Sequence, residues 1–184
     1  MKSSRRAKKT DRARSSILVH AEKCTGCGQC EIACRAQRAG AGEPHFSALR
    51  ITDGEPDFSC HVPLLCCECA EAPCIAVCPG EALSRKGPFG PVSVEQSRCS
   101  ACASCVLSCP FEVLHLSGRR SLPDPCDLCR GNPACVRACP TGALELIELN
   151  GKSLRRKRAL SRKLLSMREK LNGGEALTSS GPLS

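Results

Sequence analysis

Sixteen of the eighteen cysteines in this chain fall into four short runs. The plainest is CSACASCVLSCP, in which Cys99, Cys102, Cys105 and Cys109 have two, two and three residues between them and Pro110 follows. Such a run suits a cubane 4Fe-4S cluster. Three thiolates on a tight loop reach three irons of one cube, and the fourth, a helical turn further on, is free to ligate a second cube. One run therefore predicts others. Cys24, Cys27, Cys30 and Cys34 keep the same spacing, with Arg35 where proline usually follows. Cys66, Cys69, Cys74 and Cys78 stand two, four and three apart before Pro79, and Cys126, Cys129, Cys135 and Cys139 stand two, five and three apart before Pro140. By chain position these are motifs three, one, two and four, and sixteen ligands make four clusters. Cys67 competes with Cys66 for the head of motif two. Cys66 is preferred because it keeps two residues before Cys69, as in the other motifs. Cys60 belongs to no motif and reads as a small buried hydrophobe.

Zinc is the rival chemistry. It takes tetrahedral ligand sets built from two separated C-x2-C knuckles, whereas three consecutive cysteines at two-residue spacing crowd a single ion. Catalysis by the chain itself is not expected, because every motif cysteine is used as a ligand and no cluster keeps an open corner. There is no phosphate loop and no dinucleotide fingerprint, and His20, His45, His61 and His115 are scattered. Closed one-electron centres in a row pass electrons, with potentials set by N–H contacts to sulfur, charge and burial.

The elements that must position these thiols repeat. Cys78-Pro79-Gly80-Glu81-Ala82-Leu83, Cys109-Pro110-Phe111-Glu112-Val113-Leu114 and Cys139-Pro140-Thr141-Gly142-Ala143-Leu144 predict one turn used three times. ILVHAEKC before Cys24 matches VSVEQSRC before Cys99, aligning Ile17 with Val92 and Val19 with Val94, and both read as short strands. Motifs one and three are thus one type and motifs two and four another. In each, the third and fourth cysteines are four apart, which on a helical turn places them on one face. Gly26 and Gly28 allow the loop of motif one to approach a cube closely. Phe46–Thr52, followed by Asp53-Gly54, reads as a strand and turn, hence a hairpin.

With 184 residues, 2% aromatics and no Trp or Tyr, the chain has a thin apolar core, and metal must supply folding energy. The formal charge of +9 is largely cancelled on loading. Sixteen thiolates contribute about −16 and four oxidised cubanes about +8. What remains is a basic arm over 1–16, an acidic metal-rich body over 17–149, a basic helix over 150–174 and a short tail over 175–184. Leu160, Leu164, Met167 and Leu171 give that helix an apolar stripe, suited to packing on the body or on a partner subunit. No secretory h-region and no run of 18 apolar residues is encoded, so the expectation is a cytoplasmic protein with reduced cysteines and no membrane span.

Across about residues 17–149 the sequence resembles the four-cluster ferredoxin-type subunits of oxidoreductases such as dimethyl sulfoxide reductase, formate dehydrogenase, carbon monoxide dehydrogenase and tungsten aldehyde oxidoreductase. CTGCGQCEIAC fits the first motif of that family and CCECAEAPCIAVCP the second. The resemblance implies a small α+β fold of two bacterial-ferredoxin-like modules, one from motifs one and four and one from motifs two and three. It further implies that Cys24, Cys27, Cys30 and Cys139 hold one 4Fe-4S cluster and Cys126, Cys129, Cys135 and Cys34 its pair. Cys66, Cys69, Cys74 and Cys109 would hold the third, and Cys99, Cys102, Cys105 and Cys78 the fourth. The implied function is a non-catalytic relay between a catalytic oxidoreductase subunit, of the molybdenum, tungsten or carbon monoxide dehydrogenase kind, and a second carrier such as a ferredoxin. A hydrogenase or formate-hydrogen-lyase relay is the alternative within the class. From other classes, a zinc-stabilised nucleic-acid-binding module would use the basic tails, and a maturation or redox-sensing factor would use the clusters.

Overall fold

In chain order the elements are β1 (Ser15–Val19), α1 (Gln29–Arg38), β2 (Leu49–Asp53), β3 (His61–Leu65), α2 (Pro73–Ala76), β4 (Leu83–Arg85) and β5 (Val92–Val94). Then follow α3 (Ser104–Leu107), β6 (Leu116–Ser117), β7 (Leu122–Pro123), α4 (Ala134–Ala138) and β8 (Leu144–Glu148). The computed structural model describes residues 15–39, 46–53, 61–69, 71–85, 90–118, 120–153, 155–157, 159 and 162. Cys60 and residues 163–184 lie outside these, as does the basic arm apart from its last two residues. Ser15 and Ser16, expected in that arm, are fully buried and open β1 instead.

The described strands form four two-stranded antiparallel sheets, with orders β1-β8, β2-β3, β4-β5 and β6-β7. The first and third are copies of one plan. β1 enters motif one and β8 leaves motif four, with Val19 opposite Leu144. β5 enters motif three and β4 leaves motif two, with Val94 opposite Leu83. One residue beyond each pair the same backbone bond recurs: His20 N–H donates to the Ala143 carbonyl at 2.8 Å, and Glu95 N–H to that of Ala82 at 2.7 Å. The internal repeat is therefore a repeat of structure. The hairpin expected after Phe46 forms as β2-β3, beginning at Leu49, with Ile51 opposite Pro63.

The apolar side chains gather in two cores. One holds Ile17, Leu49, Leu65, Leu128 and Leu144 around Cys30, Cys34 and Cys135, with Cys126 and Cys139 packed against it. The other holds Leu83, Val92 and Leu114 around Cys105, with Cys74, Cys78, Cys99 and Cys109 packed against it. Cores of this size bury few large side chains, so thiols make up much of their substance. Beyond β8, residues 151–153 and 155–157 are helical, as are 159 and 162. Among the described residues no helix is long and apolar enough to cross a membrane.

Candidate iron–sulfur site

The loop of each motif is bent by residues with positive φ. In motif one these are Gly26 and Gly28, both at φ 71°. In motif three the same two positions hold Ala101 (φ 56°) and Ala103 (φ 62°), which adopt the left-handed conformation despite their Cβ. Glu68 (φ 51°) and Leu128 (φ 57°) occupy the first of these positions in motifs two and four. A left-handed non-glycine residue costs about 1–2 kcal/mol, so the loop shape is held by its surroundings. Close approach at motif one is to protein: a Cβ on Gly26 would stand 2.5 Å from Cδ2 of His61, whereas one on Gly28 would meet only Glu31 Oε2, at 3.8 Å. Gly26 makes room for the His61 ring at the start of β3, and Gly28 supplies the turn into α1.

The third cysteine of each motif lies in its helix. The fourth behaves differently from the expectation of a shared helical face. Cys30 and Cys34 are both inside α1, but Cys78 and Cys109 fall two residues past α2 and α3, and Cys139 caps α4. The three Cys-Pro exits explain this, because proline cannot continue a helix and biases the residue before it toward extended backbone. Each exit then makes the same turn, with Glu81, Glu112 and Gly142 at φ 48°, 51° and 68°. Gly80 inside the first of these turns packs on the other motif of its core; a Cβ there would meet the Arg98 carbonyl oxygen at 2.5 Å.

The thiols converge in a reciprocal pattern. Burial pushes Cys30 up to about 11, and the charge of Cys139 pushes the same way. Burial also raises Cys135, to about 12, and Cys126 and Cys129; in all three Cys34 adds to the rise. Cys69 is raised by burial and by Cys109, and Cys74, pushed up to about 11 by burial, also feels Cys109 and Cys69. Cys105 is raised by burial and by Cys78. In each core the fourth cysteine of one motif acts on at least one of the first three of the other. A cavity bounded by Cys78, Cys99, Cys102 and Cys105, with Leu116 and Pro123 closing its side, makes the point directly.

These donors fit iron–sulfur chemistry. Metal ligation would take these thiols as thiolates and release their protons. Backbone N–H groups already point at the sulfurs: Ala82 to Cys78 Sγ at 3.2 Å, Ala48 to Cys34 Sγ at 3.4 Å and Ala101 to Cys99 Sγ at 3.5 Å. Two thiols are instead held down. The Ser104 hydroxyl and N–H lower exposed Cys102. At Cys139 burial raises the thiol, but the Thr141 hydroxyl and the N–H groups of Leu144, Ala143 and Thr141 outweigh it. Cys67, the rival head of motif two, turns its Sγ to the Leu65 carbonyl at 3.5 Å.

The residues that sequence reasoning missed are charged. Lys157, nine residues past the end of β8, is 5% exposed, and its ammonium pairs with Glu68 Oε2 at 2.9 Å. It also contacts Ser16 Oγ on β1. Its spacing could have revealed it, because Lys157 stands three before Leu160 and so continues the four-three rhythm of the apolar stripe. A lysine on that stripe reads as an error until its partner is known.

Comparison with known proteins agrees with this chemistry. A 4Fe-4S dicluster domain matches residues 58–149 and a 4Fe-4S binding domain residues 17–37. The polyferredoxin-like subunit of an aliphatic sulfonate oxidoreductase from Pyrococcus furiosus is 37% identical over 123 residues, covering 67% of this chain and 70% of that one. The electron transfer subunit of a thiosulfate reductase from Salmonella typhi is 33% identical over 155 residues, 76% of this chain and 79% of that one. Formate hydrogenlyase subunit 2 from Escherichia coli is 31% identical over 169 residues, 72% of this chain and 81% of that one.

Proposed function

The chain belongs to the 4Fe-4S dicluster domain family, and we propose that it carries four 4Fe-4S clusters as the electron-relay subunit of a cytoplasmic oxidoreductase complex. It is an electron-transfer iron–sulfur subunit and not itself a catalyst. Bound 4Fe-4S clusters supply one-electron centres whose potentials follow charge, hydrogen bonding to sulfur and burial. The chain supplies the ligands, the N–H groups aimed at them and the apolar walls that keep water off.

The ligand sets are those the family resemblance implies, and the action of each fourth cysteine on a thiol of another motif supports them. Cys24, Cys27, Cys30 and Cys139 hold the first cluster and Cys126, Cys129, Cys135 and Cys34 the second, beside one core. Cys66, Cys69, Cys74 and Cys109 hold the third and Cys99, Cys102, Cys105 and Cys78 the fourth, beside the other. The observation that carries this reading is the cavity that Cys78 shares with Cys99, Cys102 and Cys105, because it joins three cysteines of one motif to the fourth of another. The partner is a catalytic oxidoreductase subunit of the molybdenum, tungsten or carbon monoxide dehydrogenase kind, with a carrier such as a ferredoxin on the other side. A formate-hydrogen-lyase relay is the second reading, supported by the 31% identity to such a subunit.

Anaerobic reductive titration of the purified chain tests the function. Brown protein that bleaches on taking up about four electrons per chain, in one-electron steps, is the expected result. Colourless protein that takes up none and contains zinc would overturn it and return the basic tails to consideration.

A further inference from the structure

A buried lysine without a partner would shed its proton, because the interior penalises the charged form by several kcal/mol. Lys157 instead has a carboxylate within 2.9 Å at Glu68, itself only 7% exposed. The contact is ionic rather than a well-aligned hydrogen bond. Glu68 sits inside motif two, between Cys66 and Cys69. The second neighbour of the ammonium, Ser16, lies on β1 beside the other core and is fully shielded from solvent. One side chain from the tail thus reaches the seam between the two cores and stops against a cysteine loop.

The charge is felt at the thiols. Burial raises Cys66 to about 12; the Glu68 N–H opposes that rise most and Lys157 next, while the Glu68 carboxylate and Cys67 add to it. Cys69 is raised by burial and Cys109, with Arg85 and Lys157 opposing. Cys66 is also the thiol whose field reaches across to Cys126 of the other core. No other residue of the described tail is buried. A purely packing role at that point of the stripe would be filled better by leucine, since replacing a buried ion pair by apolar side chains is often neutral or stabilising.

We propose that Lys157 sets the reduction potential of the centre held by Cys66, Cys69, Cys74 and Cys109, acting as a buried positive charge that Glu68 holds in place and partly offsets. This rests on the reading that those four thiolates carry a cluster. Adding an electron to that centre adds negative charge beside the ammonium, so the cation favours the reduced form and the carboxylate opposes it. The tail thereby becomes part of the redox site, and a partner that displaced it would move one potential and leave the others.

The test is an anaerobic EPR-monitored redox titration of full-length protein, with iron and sulfide measured on each sample. Lys157→Met should shift one centre's reduction equilibrium about tenfold toward the oxidised form, about 59 mV for one electron, and leave the others in place. Glu68→Gln should move the same centre in the opposite direction. Lys157→Arg and the double variant Glu68→Gln/Lys157→Met should stay near wild type. A tie that was only structural would not produce shifts of opposite sign. Unchanged midpoints in both single variants, with iron retained, would overturn the proposal. If Lys157→Met loses iron, Glu68→Gln decides alone, and no positive shift in it would be equally fatal. Wild-type protein lacking redox-active iron would instead overturn the underlying cluster reading.

Discussion

Gly26 and Ala101 occupy the same place in two copies of one loop and meet different demands. Both have positive φ, 71° and 56°, but a Cβ on Gly26 would overlap the His61 ring, whose Cδ2 lies 2.5 Å from the position it would take. Gly26→Ala is therefore expected to lose about 1–2 kcal/mol to backbone strain and more to the collision. That would appear as a lower anaerobic unfolding temperature and reduced iron content. Ala101→Gly should be near neutral, because relief of about 1 kcal/mol of strain is offset by about 0.4–1 kcal/mol of added freedom in the unfolded chain. At this scale the sequence was most informative about which cysteines share a tight loop, since their spacing and the positive-φ turn between them recur in all four motifs. It was silent on His61, which comes from 35 positions downstream of Gly26, and on Lys157, whose charge hides its burial. Neither is a matter of local pattern.

Elements were legible where the sequence repeats. Alternating Ile17 and Val19, and Val92 and Val94, announce β1 and β5, and the three Cys-Pro exits announce one turn that the backbone makes three times. Strand partners were not legible, because β1 pairs with β8 across more than a hundred residues and a short strand carries no label for its mate. The repeat resolves this after the fact: in each core the strand entering one motif pairs with the strand leaving the other. The helical-face expectation for the third and fourth cysteines fails at three motifs, because proline after the fourth ends the helix early. The proposed exchange of the fourth cysteines between motifs has a direct consequence. Cys78→Ser should perturb the same EPR centre as Cys99→Ser, and a different one from Cys66→Ser. If Cys78→Ser and Cys66→Ser alter a common centre while Cys99→Ser alters another, the ligands are not exchanged within that core.

At the scale of the whole molecule, two thin cores rich in cysteine and poor in large apolar side chains leave folding dependent on what the thiols bind. The two cores meet through charge as well as packing. Exposed Arg50 of β2 pairs with Glu112 of a Cys-Pro exit at 3.0 Å, a contact of the kind worth at most about 1 kcal/mol. The buried Lys157, Glu68 and Ser16 contacts tie tail, motif two and β1 together. Composition made the need for metal plain; the tail's burial against motif two emerged only from the three-dimensional neighbours of one lysine. The most direct test of the account is the iron and acid-labile sulfide content of protein purified without oxygen. Four cubanes require about sixteen of each per chain. About eight of each would contradict the four-cluster assignment, and near-zero iron with stoichiometric zinc would contradict the electron-transfer account as a whole.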